Sequence, residues 1–114
     1  MQTAIFKFKE IKMKVYKDCE FTWTFDDGET GEPDNGCCNL VFMDDKRIEI
    51  MFDFEEDTFR YSGSSDDGKN YHIFSLQNNK DNGSLTLSDD KTYLEGRFTG
   101  DGFSGVWLIE LSDQ

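Results

Sequence analysis

Helix is the first thing this sequence lacks. No window of eleven or more residues carries apolar side chains at i, i+3, i+4 and i+7. Without a helix there is no strand–glycine loop–helix unit to cradle a phosphate. Histidine occurs once, at His72, which leaves a single imidazole for acid–base work or metal ligation. The cysteines number three. An odd count leaves at least one thiol unpaired, and the adjacent Cys37 and Cys38 are poorly placed for an ordinary disulfide. That usage predicts a reducing, cytoplasmic setting. No apolar run reaches the roughly 18–20 residues needed to cross a membrane as a helix. The opening stretch from Met1 to Val15 is broken by lysines and has neither an apolar h-region nor a small-residue cleavage site, so it does not read as a secretory signal. Basic residues are also scarce, with 12 Lys and Arg against 24 Asp and Glu and a net charge of −12. Such a chain repels phosphate, which argues against nucleic acid as a direct partner; no membrane partner is expected either.

What is present is aromatic. Eleven Phe, four Tyr and two Trp make up 15% of the chain, and each buried ring removes on the order of 150–250 Å² from water. Residues 1–114 therefore read as one folded domain, not as an acidic disordered chain. Period-two alternation runs throughout. Phe6 and Phe8 share one face. A slip near Lys9-Glu10 then puts Ile11, Met13 and Val15 inward, with Lys12 and Lys14 outward. Phe21, Trp23 and Phe25 follow, then Leu40 and Phe42. Ile48, Ile50, Phe52 and Phe54 form the clearest strand. Phe59 and Tyr61, Tyr71 and Ile73, Leu85 and Leu87, Tyr93 to Phe98 and Val106 to Leu111 complete the set. The last is apolar on both parities, so both of its faces should be covered, or a partner should dock there.

Turn chemistry separates these runs at Asp26-Asp27-Gly28, Asp34-Asn35-Gly36, Asp66-Asp67-Gly68, Asp81-Asn82-Gly83 and Gly100-Asp101-Gly102. The pattern predicts an all-β fold with little or no helix, in which about 8–10 short strands form an antiparallel meander. Closure into a small β-barrel is the favoured architecture and a β-sandwich the alternative.

The chemistry-bearing residues assemble into no recognisable catalytic motif. The loops ending at Gly68 and Gly83 lack the Asp/Asn spacing of an EF-hand calcium site. Cys19, Cys37, Cys38 and His72 match no zinc spacing. A Cys38–His72 dyad is the only nucleophile–base pair on offer. Glu49 and Asp53 would sit roughly 13 Å apart along a strand, too far for a glycosidase pair. No catalytic group, metal site or cofactor is therefore predicted, and the chain reads as non-enzymatic.

Charge is the remaining signal. Residues 1–19 carry five lysines, Lys7, Lys9, Lys12, Lys14 and Lys17, against Glu10 and Asp18, whereas the rest carries 22 of the 24 acids. The lysines alternate along strands, and the acids gather in turns. The expectation is a polarised barrel with acidic rims and a lysine-bearing flank. The favoured function is an acidic inhibitor or immunity-type antagonist, toxin- or defence-related, that docks a basic partner protein through its loops. The contact residues predicted are Asp26, Asp27, Glu29, Glu32, Asp34, Asp44, Asp45, Glu55, Glu56 and Asp57, with Trp23 or Phe59 as an exposed aromatic anchor. Reversing Asp44, Asp45, Glu55 and Glu56 together should abolish binding, and replacing Lys7 and Lys12 should not.

The alternative is a small hydrophobic ligand held in the barrel mouth, lined by Trp23, Phe25, Phe42, Phe52, Tyr61, Tyr71, Tyr93 and Trp107. The hairpin layout, with Tyr93-Leu94-Glu95-Gly96-Arg97-Phe98, resembles calycin-type barrels such as lipocalins and avidins.

Overall fold

The computed structural model describes residues 13–78 and 80–112. Phe6, Lys7, Phe8, the slip at Lys9-Glu10, Ile11 and Lys12 lie outside them. Nine strands form one antiparallel sheet: β1 Lys14–Phe25, β2 Thr30–Gly31, β3 Cys37–Met43, β4 Arg47–Phe54, β5 Asp57–Ser65, β6 Asn70–Ser75, β7 Asn82–Leu87, β8 Tyr93–Gly100 and β9 Phe103–Glu110. The spatial order is β2-β1-β3-β4-β5-β6-β7-β8-β9, and β1 also pairs with β9. The sheet thus closes as an eight-stranded barrel, with β2 as an extra two-residue strand on β1. Among the described residues one 3-10 turn, Asp34–Gly36, precedes β3.

Alternation sets the inward face. Ile48, Ile50 and Phe52 of β4, Tyr71 and Ile73 of β6, Leu85 and Leu87 of β7, and Trp107 and Ile109 of β9 are all buried. On β9 the opposite parity, Val106 and Leu108, is half-buried. These two lie in cross-strand rows with Thr24 and Arg97 and with Thr22 and Glu95, whose side chains cover part of them.

The alternation in β1 changes phase at Asp18, which takes a positive φ of 56°. Tyr16 lies opposite buried Val41 on one side of that point, and Cys19 lies opposite buried Cys38 on the other. Two residues separate successive inward positions there, on both strands. The Cys38 thiol fills the disturbed ladder by donating to the carbonyls of Leu40, at 3.3 Å, and Met51, at 3.2 Å. The expected inward placement of Met13 and Val15 is therefore corrected. Val15 lies opposite outward Phe42, Met13 is 41% exposed, and Tyr16 is the residue that packs on the core. Asn82-Gly83 is also corrected from turn to strand. Gly83 pairs with Phe98 inside β7, and its backbone runs so close to β8 that a Cβ would stand 2.5 Å from the Arg97 carbonyl oxygen.

Candidate functional site

Strand direction divides the loops between two rims. One, here the Glu55 rim, gathers residues 26–36, the β4–β5 turn, residues 76–81 and the β8–β9 turn. The other, the Asp44 rim, gathers the β3–β4, β5–β6 and β7–β8 turns. The Glu55 rim receives Asp26, Asp27, Glu29, Glu32, Asp34, Glu55, Glu56 and Asp57, together with Asp81 and Asp101, against one described base, Lys80. The Asp44 rim receives Asp44, Asp45, Asp66, Asp67, Asp89 and Asp90 against Lys46, Lys69 and Lys91. The ten candidate acids therefore do not form one surface, since Asp44 and Asp45 lie at the far end of the barrel from the other eight.

The carboxylates also differ in what they already hold. On the Asp44 rim Asp44, Asp67 and Asp90 serve the backbone and Asp89 pairs with Lys69, while Asp45 and Asp66 are exposed with no hydrogen bond or ion pair among the described residues. Asp44 Oδ1 accepts from the amides of Lys46 and Arg47 at 2.8 Å, and these bonds hold its carboxyl below the usual range. Asp67 Oδ1 accepts from the amides of Lys69 and Asn70 at 2.9 and 2.8 Å, and those bonds with the Asn70 side chain depress its pKa further. Asp90 accepts from Ser88, from the Thr92 hydroxyl and from the Thr92 amide. These are turn-closing aspartates.

On the Glu55 rim, Asp26 is likewise committed. The Arg97 guanidinium grips it with two bonds of 3.0 and 2.8 Å, and Ser104 adds a third at 2.5 Å. The bonds from Arg97, then Ser104, bring its pKa down to about 2. Because Arg97 lies on β8 and Ser104 on β9, Asp26 clasps the end of the β1–β9 seam. Asp27 caps the Glu29 amide at 2.9 Å, and Asp34 Oδ1 accepts from the Glu55 amide at 3.2 Å, tying the long loop to the β4–β5 turn. Glu29, Glu32, Glu55, Glu56 and Asp57 carry exposed side chains with no hydrogen bond or ion pair among the described residues. They are the unbonded carboxylates of this rim, five against the two on the Asp44 rim.

Two of them stand in an unusual place. Phe54 pairs with Asp57, leaving Glu55 and Glu56 as a two-residue turn with φ of 52° and 74°. Positive φ at both positions is the type I′ hairpin geometry, which favours Asn-Gly.

The proposed aromatic anchors are repositioned. Trp23 is only 9% exposed. It meets Phe21 and Phe54 edge-on at 5.4 Å, and Gly31 of β2 lies directly over its indole, where a Cβ would stand 2.4 Å from Nε1. Trp23 therefore supports the rim loop from beneath, and the sole proline, Pro33, is buried in the same loop. Phe59 is half-buried and stacks on Phe52 at 5.6 Å. The large apolar side chains exposed at this rim are Leu76, at 56%, and Phe103, at 43%. Neither stands out in the sequence, because both fall just outside its alternating runs.

The expected ligand lining is partly redistributed. Phe42 and Tyr93 face outward, whereas Phe21 and Phe98 join the interior. Phe21, Trp23, Phe52, Tyr61 and Trp107 meet one another at centroid distances of 4.9–6.1 Å and fill the lumen at this end. Cys38 faces the lumen while His72 is exposed on the outer face of β6, so the two form no dyad. Cys19 and Cys38 are fully buried thiols, and burial first, then Cys19, pushes Cys38 up to about 12. Among the described residues no three His, Cys, Asp or Glu are grouped to hold a metal ion. No protein-family model matches the chain, and no curated protein is similar enough in sequence to count as a relative.

Proposed function

We propose that this chain is a non-enzymatic, cytoplasmic interaction protein, an inhibitor or immunity-type antagonist that docks a basic partner on its Glu55 rim. The observation that carries the reading is the Glu55-Glu56 turn. Side chains other than glycine are strained at positive φ, and such strain tends to collect at functional sites. Among the described residues, four other turns put an Asp-Gly or Asn-Gly glycine at positive φ, at Gly28, Gly36, Gly68 and Gly102, and the β7–β8 turn uses the single residue Lys91, so only the β4–β5 turn puts two consecutive long side chains there. Here it keeps two long carboxylates at the tip of a hairpin, beside Asp34, Glu32 and Asp57. Unpaired carboxylates on a rigid rim attract a cationic surface and speed its association, and salt weakens that attraction. The calycin-like ligand reading needs the interior rings to line space, whereas they contact one another.

The test is retention of protein from cell lysate on the immobilised barrel at low and high ionic strength. A basic protein should be held at low salt and released at high salt. Glu32→Lys, Glu55→Lys and Glu56→Lys together should abolish retention, while Asp45→Lys, Asp66→Lys and Asp89→Lys should leave most of it. No retained protein, or equal loss from the two sets, would overturn the reading.

A further inference from the structure

The phase change at Asp18 turns a second surface outward. Three consecutive cross-strand rows on the barrel wall run Arg47–Ser64, then Val15–Phe42–Glu49–Ser62, then Lys17–Leu40–Met51–Arg60. Opposed residues share a face, so these side chains form one patch across β1, β3, β4 and β5. A groove of about 390 Å³ opens in it, lined by Met13, Phe42, Arg47, Ile48, Glu49 and Ser62. Phe42, Leu40, Met51 and Val15 are half-buried around it, and Met13 is 41% exposed.

The charge here departs from the rest of the molecule. Lys17, Arg47 and Arg60 surround the patch and Glu49 is the one carboxylate within its three rows, with Asp53 in the next row and Asp44 beside Arg47 at its border, on a chain where acids outnumber bases two to one. Among the described residues none of the three cations is in an ion pair, whereas Lys69, Lys80 and Arg97 are each paired with an aspartate. A groove that offers Met13, Phe42 and Ile48 to an apolar side chain, bordered by cations that outnumber the carboxylate within it, complements an anionic chain that also carries apolar side chains. We infer that this wall docks an extended acidic segment of a partner protein, with an apolar side chain seated against Phe42 and carboxylates meeting Lys17, Arg47 and Arg60. A second copy presenting its wall would bring like charges together, which disfavours self-association here. This surface is separate from the Glu55 rim and takes the opposite charge.

The probe is a fluorescein-labelled twelve-residue peptide alternating Glu or Asp with Phe or Leu, titrated by anisotropy at low salt. It should bind, and at least tenfold more tightly than an acidic peptide in which serine replaces Phe and Leu. Lys17→Glu with Arg60→Glu should weaken binding at least tenfold, as should Met51→Gln. The charge pair lies on exposed stems, so it keeps the test informative if the Met51 variant folds poorly. Glu55→Gln with Glu56→Gln should leave this binding unchanged, which separates it from the rim reading. No binding of the peptide, equal binding of the serine peptide, or undiminished binding by the folded Lys17/Arg60 variant would overturn the inference. So would concentration-dependent dimerisation, or binding to phosphatidylserine vesicles, that the Lys17/Arg60 substitutions remove without touching the peptide.

Discussion

The Glu55-Glu56 turn permits a worked prediction. A residue other than glycine held in the left-handed region costs roughly 1–2 kcal/mol, so the two glutamates store on the order of 2–4 kcal/mol. Replacing Glu55 by Asn and Glu56 by Gly supplies the residues that type I′ geometry favours. Asn relieves only part of the strain, and Gly returns about 0.5–1 kcal/mol through its freer unfolded chain. The net expectation is a gain of about 1–2 kcal/mol. For a domain of this size that corresponds to a rise in Tm of about 4–8 °C. Urea denaturation followed by the fluorescence of buried Trp23 and Trp107 would measure it, with the midpoint raised and the slope unchanged. Glu55→Gln with Glu56→Gln removes the charges but keeps the backbone strain, so it should recover much less of the gain. If the Gln pair stabilises as much as Asn-Gly, repulsion between carboxylates is the cause and the strain argument fails. If Asn-Gly gives no gain, the turn is not strained. Affinity for the basic partner should fall in both variants, because both remove the same carboxylates.

Gly96→Ala places a Cβ 1.7 Å from the Ser84 carbonyl oxygen and 2.8 Å from Leu85 Cα; both are backbone atoms, so β7 and β8 must separate, and chemical denaturation should show a loss of about 3 kcal/mol. The Asp26 pKa of about 2 is depressed, so its stabilising contribution is complete above the ordinary carboxylate pKa of 3.8 and lost as pH falls toward about 2. Arg97→Gln should return the Asp26 carboxyl toward 3.8 in an NMR titration and weaken stability at neutral pH more than at pH 2. Asp81 behaves in the opposite sense, because its Oδ1 is buried with no hydrogen-bond partner among the described residues and burial raises its pKa. The folded protein is then penalised once Asp81 ionises, so Asp81→Asn should raise Tm at pH 7 and change it little at pH 3.

The sequence by itself determined the elements of this protein. Ile48-Glu49-Ile50-Met51-Phe52 can bury one face only as a strand, and Asp27-Gly28, Asp67-Gly68 and Asp101-Gly102 supply the positive φ that turns between such strands require. Local hairpins on a short, aromatic chain implied closure, and the barrel follows. Tertiary structure decided the rest, because those outcomes depend on what lies opposite a residue and not on its neighbours in sequence. Whether Met13 and Val15 face in or out turned on the positive φ of Asp18, which lies four residues before Thr22 in an otherwise ordinary alternating run. Asn82-Gly83 carries a turn signature, yet the close approach of β8 uses its glycine within a strand. Trp23 became a foundation and not an anchor once β2 folded over it. Most of all, strand direction sent Asp44 and Asp45 to one rim and Glu55 and Glu56 to the other. Hydrogen bonding then divided the acids into those that close turns and those left without a bond among the described residues. Composition counts every carboxylate alike, whereas the backbone amides, Arg97 and the strand order distinguish them.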